Sequence, residues 1–278
     1  ENTRTDWGRG RVADVRARME EDLLFAEANL PLTNGERLNK AVAQHYLAEL
    51  YLWMERWADA EAKADAVINS RASQLVTERY GVTASEPGVP FMDGLLDGNV
   101  LRSQGNTEVL WPWQFEQSVT GGGGSAQRRS WVSDYDNVPG LALSVEHGGR
   151  GTGRARMTRW AMELYCFGDS EPENCLNPEH PKSRAPDDDR GSKFVLRRFY
   201  IYNEPADLPA GKSLGDTLWL VVRAETETER DQVSTRKWDC ADPNQLSTQA
   251  RCWPDAAYLR LAETYLLAAE AEFRQGKL

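Results

Sequence analysis

Trp131 and Tyr135 bracket a cluster of hydrogen-bonding groups in the run Ser130-Trp131-Val132-Ser133-Asp134-Tyr135-Asp136-Asn137, and this loop stretch is the one best suited to chemistry. Flat aromatic faces stack on the apolar hydrogens of sugar rings, while Asp134 and Asn137 offer partners for sugar hydroxyls. Arg154 is a further polar candidate, and Trp113 and Trp160 are further aromatic ones. The ten tryptophans are a high load for 278 residues. Helix packing accounts for Trp53 and Trp57, and the apolar run Leu218-Trp219-Leu220-Val221 accounts for Trp219. A loop tryptophan tucked against a scaffold is the competing reading of Trp131.

Patterns that would support a reaction are weaker. His45, His147 and His180 are far apart in sequence and form no HExxH-type constellation, and no Gly-x-Ser-x-Gly elbow supports nucleophilic hydrolysis. Gly121-Gly122-Gly123-Gly124-Ser125-Ala126 satisfies the letters of a dinucleotide fingerprint without a strand-turn-helix context, so it reads as a loop tip. Asp187-Asp188-Asp189 clusters hard oxygen ligands but lacks EF-hand spacing, and a solvated acidic turn is favoured over a calcium site. With 43 acidic side chains, a two-carboxylate glycosidase stays open as an alternative. The expectation is a non-enzymatic protein with no cofactor and no metal.

The net charge of −10, from 33 basic and 43 acidic residues, argues against a nucleic-acid partner. No run approaches the roughly 20 apolar residues of a membrane span. The four cysteines form two close pairs, Cys166 with Cys175 and Cys240 with Cys252, without the spacing of a zinc or redox motif. Two short-range disulfides are expected, which places the chain outside a reducing cytosol; four unpaired thiols are the alternative.

The elements that must carry these residues are helical at both ends. Val12, Val15, Met19, Leu23, Ala26 and Leu30 step by three and four, predicting a helix with one stripe to bury. Further helices are expected over about 37–54 and 57–70, joined at Glu55-Arg56 by a turn so tight that they must be antiparallel. Leu47, Ala48, Tyr51, Trp57, Ala60 and Val67 keep the offsets of a tetratricopeptide repeat. A last helix is expected from Ala256 to Gln275, and its string Leu261-Ala262-Glu263-Thr264-Tyr265 echoes Leu47-Ala48-Glu49-Leu50-Tyr51. Aligned on the turns, the second copy ends where its partner helix would begin, so a piece of a longer protein is expected. The predicted divisions are 1–70 (helical hairpin scaffold), 71–255 (loop-rich, ligand-binding, with short strands near 108–115, 193–202 and 217–222) and 256–278 (returning helix). The fold class is mainly α with a large irregular region.

In order along the chain, Asp22-Leu23-Leu24-x-Ala26, Leu30-Pro31, the Ala48-to-Ile68 hairpin, Asn106-Thr107-Glu108-Val109-Leu110, Arg236-Lys237-Trp238 and Tyr258-Leu259-Arg260-Leu261-Ala262-Glu263 resemble the SusD/RagB glycan-capture lipoproteins of Bacteroidota. The resemblance implies a tetratricopeptide-like scaffold with an irregular capping region. It also implies lipid tethering to the outer face of the outer membrane by an anchor missing from this chain, and non-catalytic capture of an oligosaccharide, or in some members a peptide, for a SusC-like TonB-dependent transporter. A cytosolic scaffold that docks protein partners is the reading from another class. No ligand residue transfers by motif, so the site assignment rests on composition.

Overall fold

A computed structural model of the chain describes residues 8–165, 188–220, 230, 232–239 and 252–277. Its helices are α1 (Val12–Asn29), α2 (Lys40–Trp53), α3 (Trp57–Asn69), α4 (Pro90–Asp93), α5 (Gln127–Trp131), α6 (Arg159–Leu164) and α7 (Leu261–Arg274). The strands are β1 (Val109–Trp113), β2 (Leu196–Arg197), β3 (Phe199–Ile201), β4 (Thr217–Trp219), β5 (Ser234–Thr235) and β6 (Ala256–Arg260). Two compact units result: Glu1–Val76, Leu101–Trp113 and Ala257–Leu278 make the first, and Thr77–Val100 with Gln114–Ala256 the second. Residues 101–113 thus group with the helices.

The first unit is built by close helix approach. Asn39 caps α2, its Oδ1 accepting from the Val42 N–H at 3.2 Å while its Nδ2 donates to the Leu110 carbonyl at 3.2 Å. At the α2–α3 turn Glu55 takes a positive φ of 60° and the Arg56 N–H returns to the Tyr51 carbonyl at 2.9 Å, folding the two helices antiparallel. Ala48, Ala60, Ala64 and Ala271 are fully buried at the contacts, because a methyl side chain lets helix backbones draw together. His45 of α2 is buried and its Nδ1 lies 2.8 Å from Thr264 Oγ1 of α7; burial pulls its pKa down to about 4.

Two expectations for this unit are corrected. Residues Ala256–Arg260, expected to open the last helix, form β6 and pair with β1, and α7 begins only at Leu261. The Leu261 N–H donates to the Glu108 carbonyl at 3.0 Å and the Arg260 guanidinium meets the Glu108 carboxylate at 3.3 Å, so pairing to β1 outweighs the helical pattern. The stripe on α1 is not buried along its length: Val12, Val15 and Met19 are exposed and line an open groove with Tyr46, Leu50 and Trp53. Only from Leu23 onward does the stripe reach the core around Leu47 and Tyr51.

The second unit has little regular structure. Its strands form two antiparallel pairs, β2 with β5 and β3 with β4. Its core gathers Val132, Tyr135, Leu196, Tyr200, Leu220 and Val233. Tyr135 and Tyr200 stack at 4.9 Å between centroids, and His147 stands edge-on to both rings. The Arg197 guanidinium lies 5.2 Å from the Tyr200 ring centroid and donates to the Glu146 carbonyl at 3.0 Å and to Asp239 Oδ2 at 2.6 Å. Burial disfavours the Arg197 charge, but Asp239 together with Tyr200 and Tyr135 outweighs it and the pKa is raised. No described helix is long and apolar enough to cross a membrane.

Candidate functional site

The site builds from the end of the glycine run. Gly121, Gly123 and Gly124 have φ of 83°, 67° and 151°, and a Cβ on Gly122 would lie 2.2 Å from the Glu116 carbonyl oxygen. Glycine is therefore required by this turn's backbone, as its reading as a loop tip anticipates. Ser125 exchanges backbone hydrogen bonds with Cys252, at 2.8 and 3.0 Å, and its Oγ accepts from the Gln127 N–H at 3.2 Å as α5 begins. α5 is one short turn that ends on Trp131.

Trp131 is half-buried, and its indole Nε1 donates to Gln127 Oε1 at 3.2 Å. Beyond it the chain drops Val132 and Ser133 into the core, where the Ser133 and Tyr200 hydroxyls share a hydrogen bond of 2.5 Å, and turns outward again at Asp134. Asn137 is exposed and its Nδ2 donates to Asp134 Oδ2 at 2.9 Å, which presents the amide and carboxylate as one unit. Residues 151–155 run alongside. Thr152, Gly153 and Ala155 donate their N–H groups to the carbonyls of Arg129, Val132 and Ser130 at 2.8 to 2.9 Å, which brings exposed Arg154 to the same stretch. Gly151 makes this possible, since a Cβ there would sit 1.9 Å from the Val132 carbonyl oxygen. Trp131, Asp134, Asn137 and Arg154 thus lie on two chain segments that backbone hydrogen bonds hold side by side.

Tyr135 must be removed from the candidates as a stacking residue. It is 0 % exposed, its ring is covered by Tyr200 and His147, and its hydroxyl accepts from the Ser144 N–H at 3.2 Å. Its role is to seat this stretch of chain, and burial lifts its pKa above the ordinary phenol range. Asp136 next to it has its carboxyl raised, chiefly by burial and also by Asp134.

The other aromatic candidates lie elsewhere. Trp160 is 67 % exposed on α6. Trp113 belongs to the first unit, where it stacks on Tyr258 at 4.1 Å while Trp111 meets Tyr258 edge-on at 5.2 Å. Tyr258 escaped the sequence reading because a helical assignment of Ala256–Arg260 hides the alternation that would have set it beside Trp113 across a ladder.

For the acidic turn, Asp188 is committed to protein partners. Both of its oxygens take Arg190, at 2.8 and 2.7 Å, and Oδ2 also accepts from the Tyr165 hydroxyl at 3.0 Å. Arg190 holds the carboxyl below its ordinary range. Among the described residues no three His, Cys, Asp or Glu side chains gather as a metal site. Asp187, His180, Cys166, Cys175 and Cys240 lie outside the described residues, and with them both expected disulfides. Cys252 is buried with its Sγ 3.8 Å from the Ser125 carbonyl oxygen.

No family sequence model and no curated protein sequence matches the chain. Solved structures do. A SusD-superfamily protein from Parabacteroides distasonis superposes with a TM-score of 0.60 at 15% identity, over 96% of this chain and 47% of its own. A surface glycan-binding protein A from Bacteroides uniformis gives 0.54 at 16%, over 97% and 47%. A laminarin-binding SusD-like protein gives 0.55 at 17%, over 93% and 50%. The fold is therefore SusD-like, helical and loop-rich, and the chain spans about half the length of these structures.

Proposed function

We propose that this chain captures an oligosaccharide without cleaving it, through Trp131, Asp134, Asn137 and Arg154, with Trp160 as a second aromatic contact. The observation that carries the reading is this pair of adjoining segments, set on a SusD-like fold whose solved examples include a surface glycan-binding protein and a laminarin-binding one. A half-buried indole supplies the stacking surface. The Asp134–Asn137 pair and Arg154 supply acceptors and donors for hydroxyls, the mix of few polar groups around an apolar face that small-ligand sites use. Delivery to a SusC-like TonB-dependent transporter, and a lipid tether to the extracellular face of the outer membrane, complete the proposal at the level of the whole protein.

Asp136 beside Asp134 is a feature that a hydrolase would also use, since one carboxyl of an acid pair is raised. Asp136 Oδ1 is closed off from solvent and its carboxyl is raised by burial more than by Asp134, so packing accounts for the shift. Affinity electrophoresis in gels containing laminarin, xylan, starch or mannan tests the reading, with chromatography of each recovered polysaccharide. The expected result is retardation by at least one glycan that is recovered at its original length. Shortening of that glycan over hours would assign a glycosidase instead, and retardation by none would leave peptide capture as the better reading.

A further inference from the structure

A second concavity in the loop-rich unit lies apart from the Trp131 patch, and Arg236-Lys237-Trp238 forms one of its walls. It is a cleft of ≈ 140 Å³. Pockets for whole drug-sized ligands start near roughly 300 Å³, so this one holds a single ring or headgroup of something longer. Trp238, Met92, Leu95, Leu96 and Val145 give it an apolar side.

The polar side is nearly balanced in charge. Asp97, Asp239 and Asp255 face Arg236 and Lys237, and Asp239 is further answered by Arg197 at 2.6 Å and by Arg236 at 3.1 Å. Asp255 Oδ1 accepts from the Phe115 N–H at 2.9 Å, and the Lys237 ammonium lies 5.0 Å from the Phe91 ring centroid. Arg236 and Lys237 are already engaged, so an anion finds no open cation there, and a neutral ligand needs no countercharge. Two groups are left for it. Asp97 is exposed and makes no hydrogen bond or ion pair among the described residues. The Ser125 hydroxyl accepts from the Gln127 N–H at 3.2 Å, which leaves its own proton to donate.

We propose that this cleft seats one neutral pyranose unit of the captured glycan, its apolar face toward Trp238 and its hydroxyls on Asp97 and Ser125. The proposal rests on the glycan reading above and adds a subsite to it. An acceptor carboxylate, a donor hydroxyl and an aromatic wall are complementary to a ring that carries hydroxyls on its rim and C–H groups on its face.

The test is a titration of the 278-residue chain, isotopically labelled, with glucose, mannose, galactose and N-acetylglucosamine, then with laminarihexaose, maltohexaose, xylohexaose and mannohexaose. The indole N–H resonances are followed by NMR, with those of Trp238 and Trp131 assigned through Trp238→Phe and Trp131→Phe. The expected result is that at least one monosaccharide and one hexasaccharide shift the Trp238 resonance, and that Asp97→Asn weakens the hexasaccharide by about tenfold, the loss of one charge-assisted hydrogen bond. A hexasaccharide that shifts Trp131 but leaves Trp238 unmoved, with Asp97→Asn binding unchanged, overturns the subsite and leaves the glycan reading standing. If no sugar shifts any indole resonance, the glycan reading falls and the subsite with it.

Discussion

The helical unit buries His45 of α2, where Thr264 of α7 is its hydrogen-bonding partner, and the same two helices pack with α3 through Ala48, Ala64 and Ala268. The loop-rich unit buries His147 among Tyr135, Tyr200 and Arg197, and the Ile201 N–H donates to its Nε2 at 3.3 Å. Both imidazoles are held neutral, yet one unit does it with apolar contact between regular elements and the other with a web of rings, ions and backbone groups. The difference teaches where recognition can sit: helices packed through methyl groups leave few polar groups to spare, whereas a polar web carries irregular loops that can present Trp131, Asp134 and Arg154 together.

The largest expected effects come from removing each unit's central side chain. Tyr200→Ala deletes a fully buried ring, its stack on Tyr135 and its bond to Ser133, and is expected to cost about 3–5 kcal/mol. Leu47→Ala in the helical core is expected to cost about 2–5 kcal/mol. Guanidinium unfolding followed by circular dichroism separates them: Tyr200→Ala should lose the near-ultraviolet aromatic signal at the lower denaturant concentration, and Leu47→Ala the helical signal. Losing both signals together in both variants would break the distinction between the units.

Acid should weaken both units alike. Each histidine titrates near 6.5 when unfolded and is pulled down to about 4 by burial in the fold, so the unfolded chain binds more protons between those values. Stability is therefore full above about pH 6.5 and is lost as pH falls toward about 4. At pH 5 the loss is about 2 kcal/mol for each histidine, at 1.36 kcal/mol per unit. Urea unfolding at pH 7 and pH 5 reads this, and His147→Gln should flatten part of the slope.

A smaller and more local effect is expected at Gly151. Gly151→Ala forces its Cβ against the Val132 carbonyl, which should cost about 1–3 kcal/mol and push residues 152–155 off Ser130–Val132. Glycan affinity should fall although residue 151 itself offers no ligand contact, and calorimetry checks that. At the bottom of the scale, Arg18→Gln breaks exposed pairs with Glu21 and Asp22, and a shift of no more than about 0.5 kcal/mol is expected in thermal melts.

Much of the helical unit was legible in the sequence because its information is local. The stripe, the turn at Glu55-Arg56 and the small residues at 48 and 60 each fix geometry within a few positions. Ala256–Arg260 was misread because its partner β1 lies about 145 residues earlier, and only that ladder distinguishes a strand from a helix start. The open face of α1 was hidden for a related reason: periodicity says which side is apolar, not what covers it. In the loop-rich unit residue type alone singles out Trp131, Asp134, Asn137 and Arg154 as candidates, and only the backbone bonds from 152–155 to 129–132 reveal that their chain segments run side by side. Tyr135 looked identical to a binding tyrosine in composition, and its burial depends on Tyr200 and His147, which no local pattern connects to it.

The central claim is that Trp131 and its neighbours bind a glycan without cutting it. Isothermal titration calorimetry of the chain and of Trp131→Ala, against the glycan that most retards the protein in gels, tests it most directly. The account predicts a saturable heat of binding for the wild-type chain and an affinity about tenfold or more weaker for Trp131→Ala, near 1.4 kcal/mol, with an unchanged melting temperature. Equal affinity for the two proteins would contradict it.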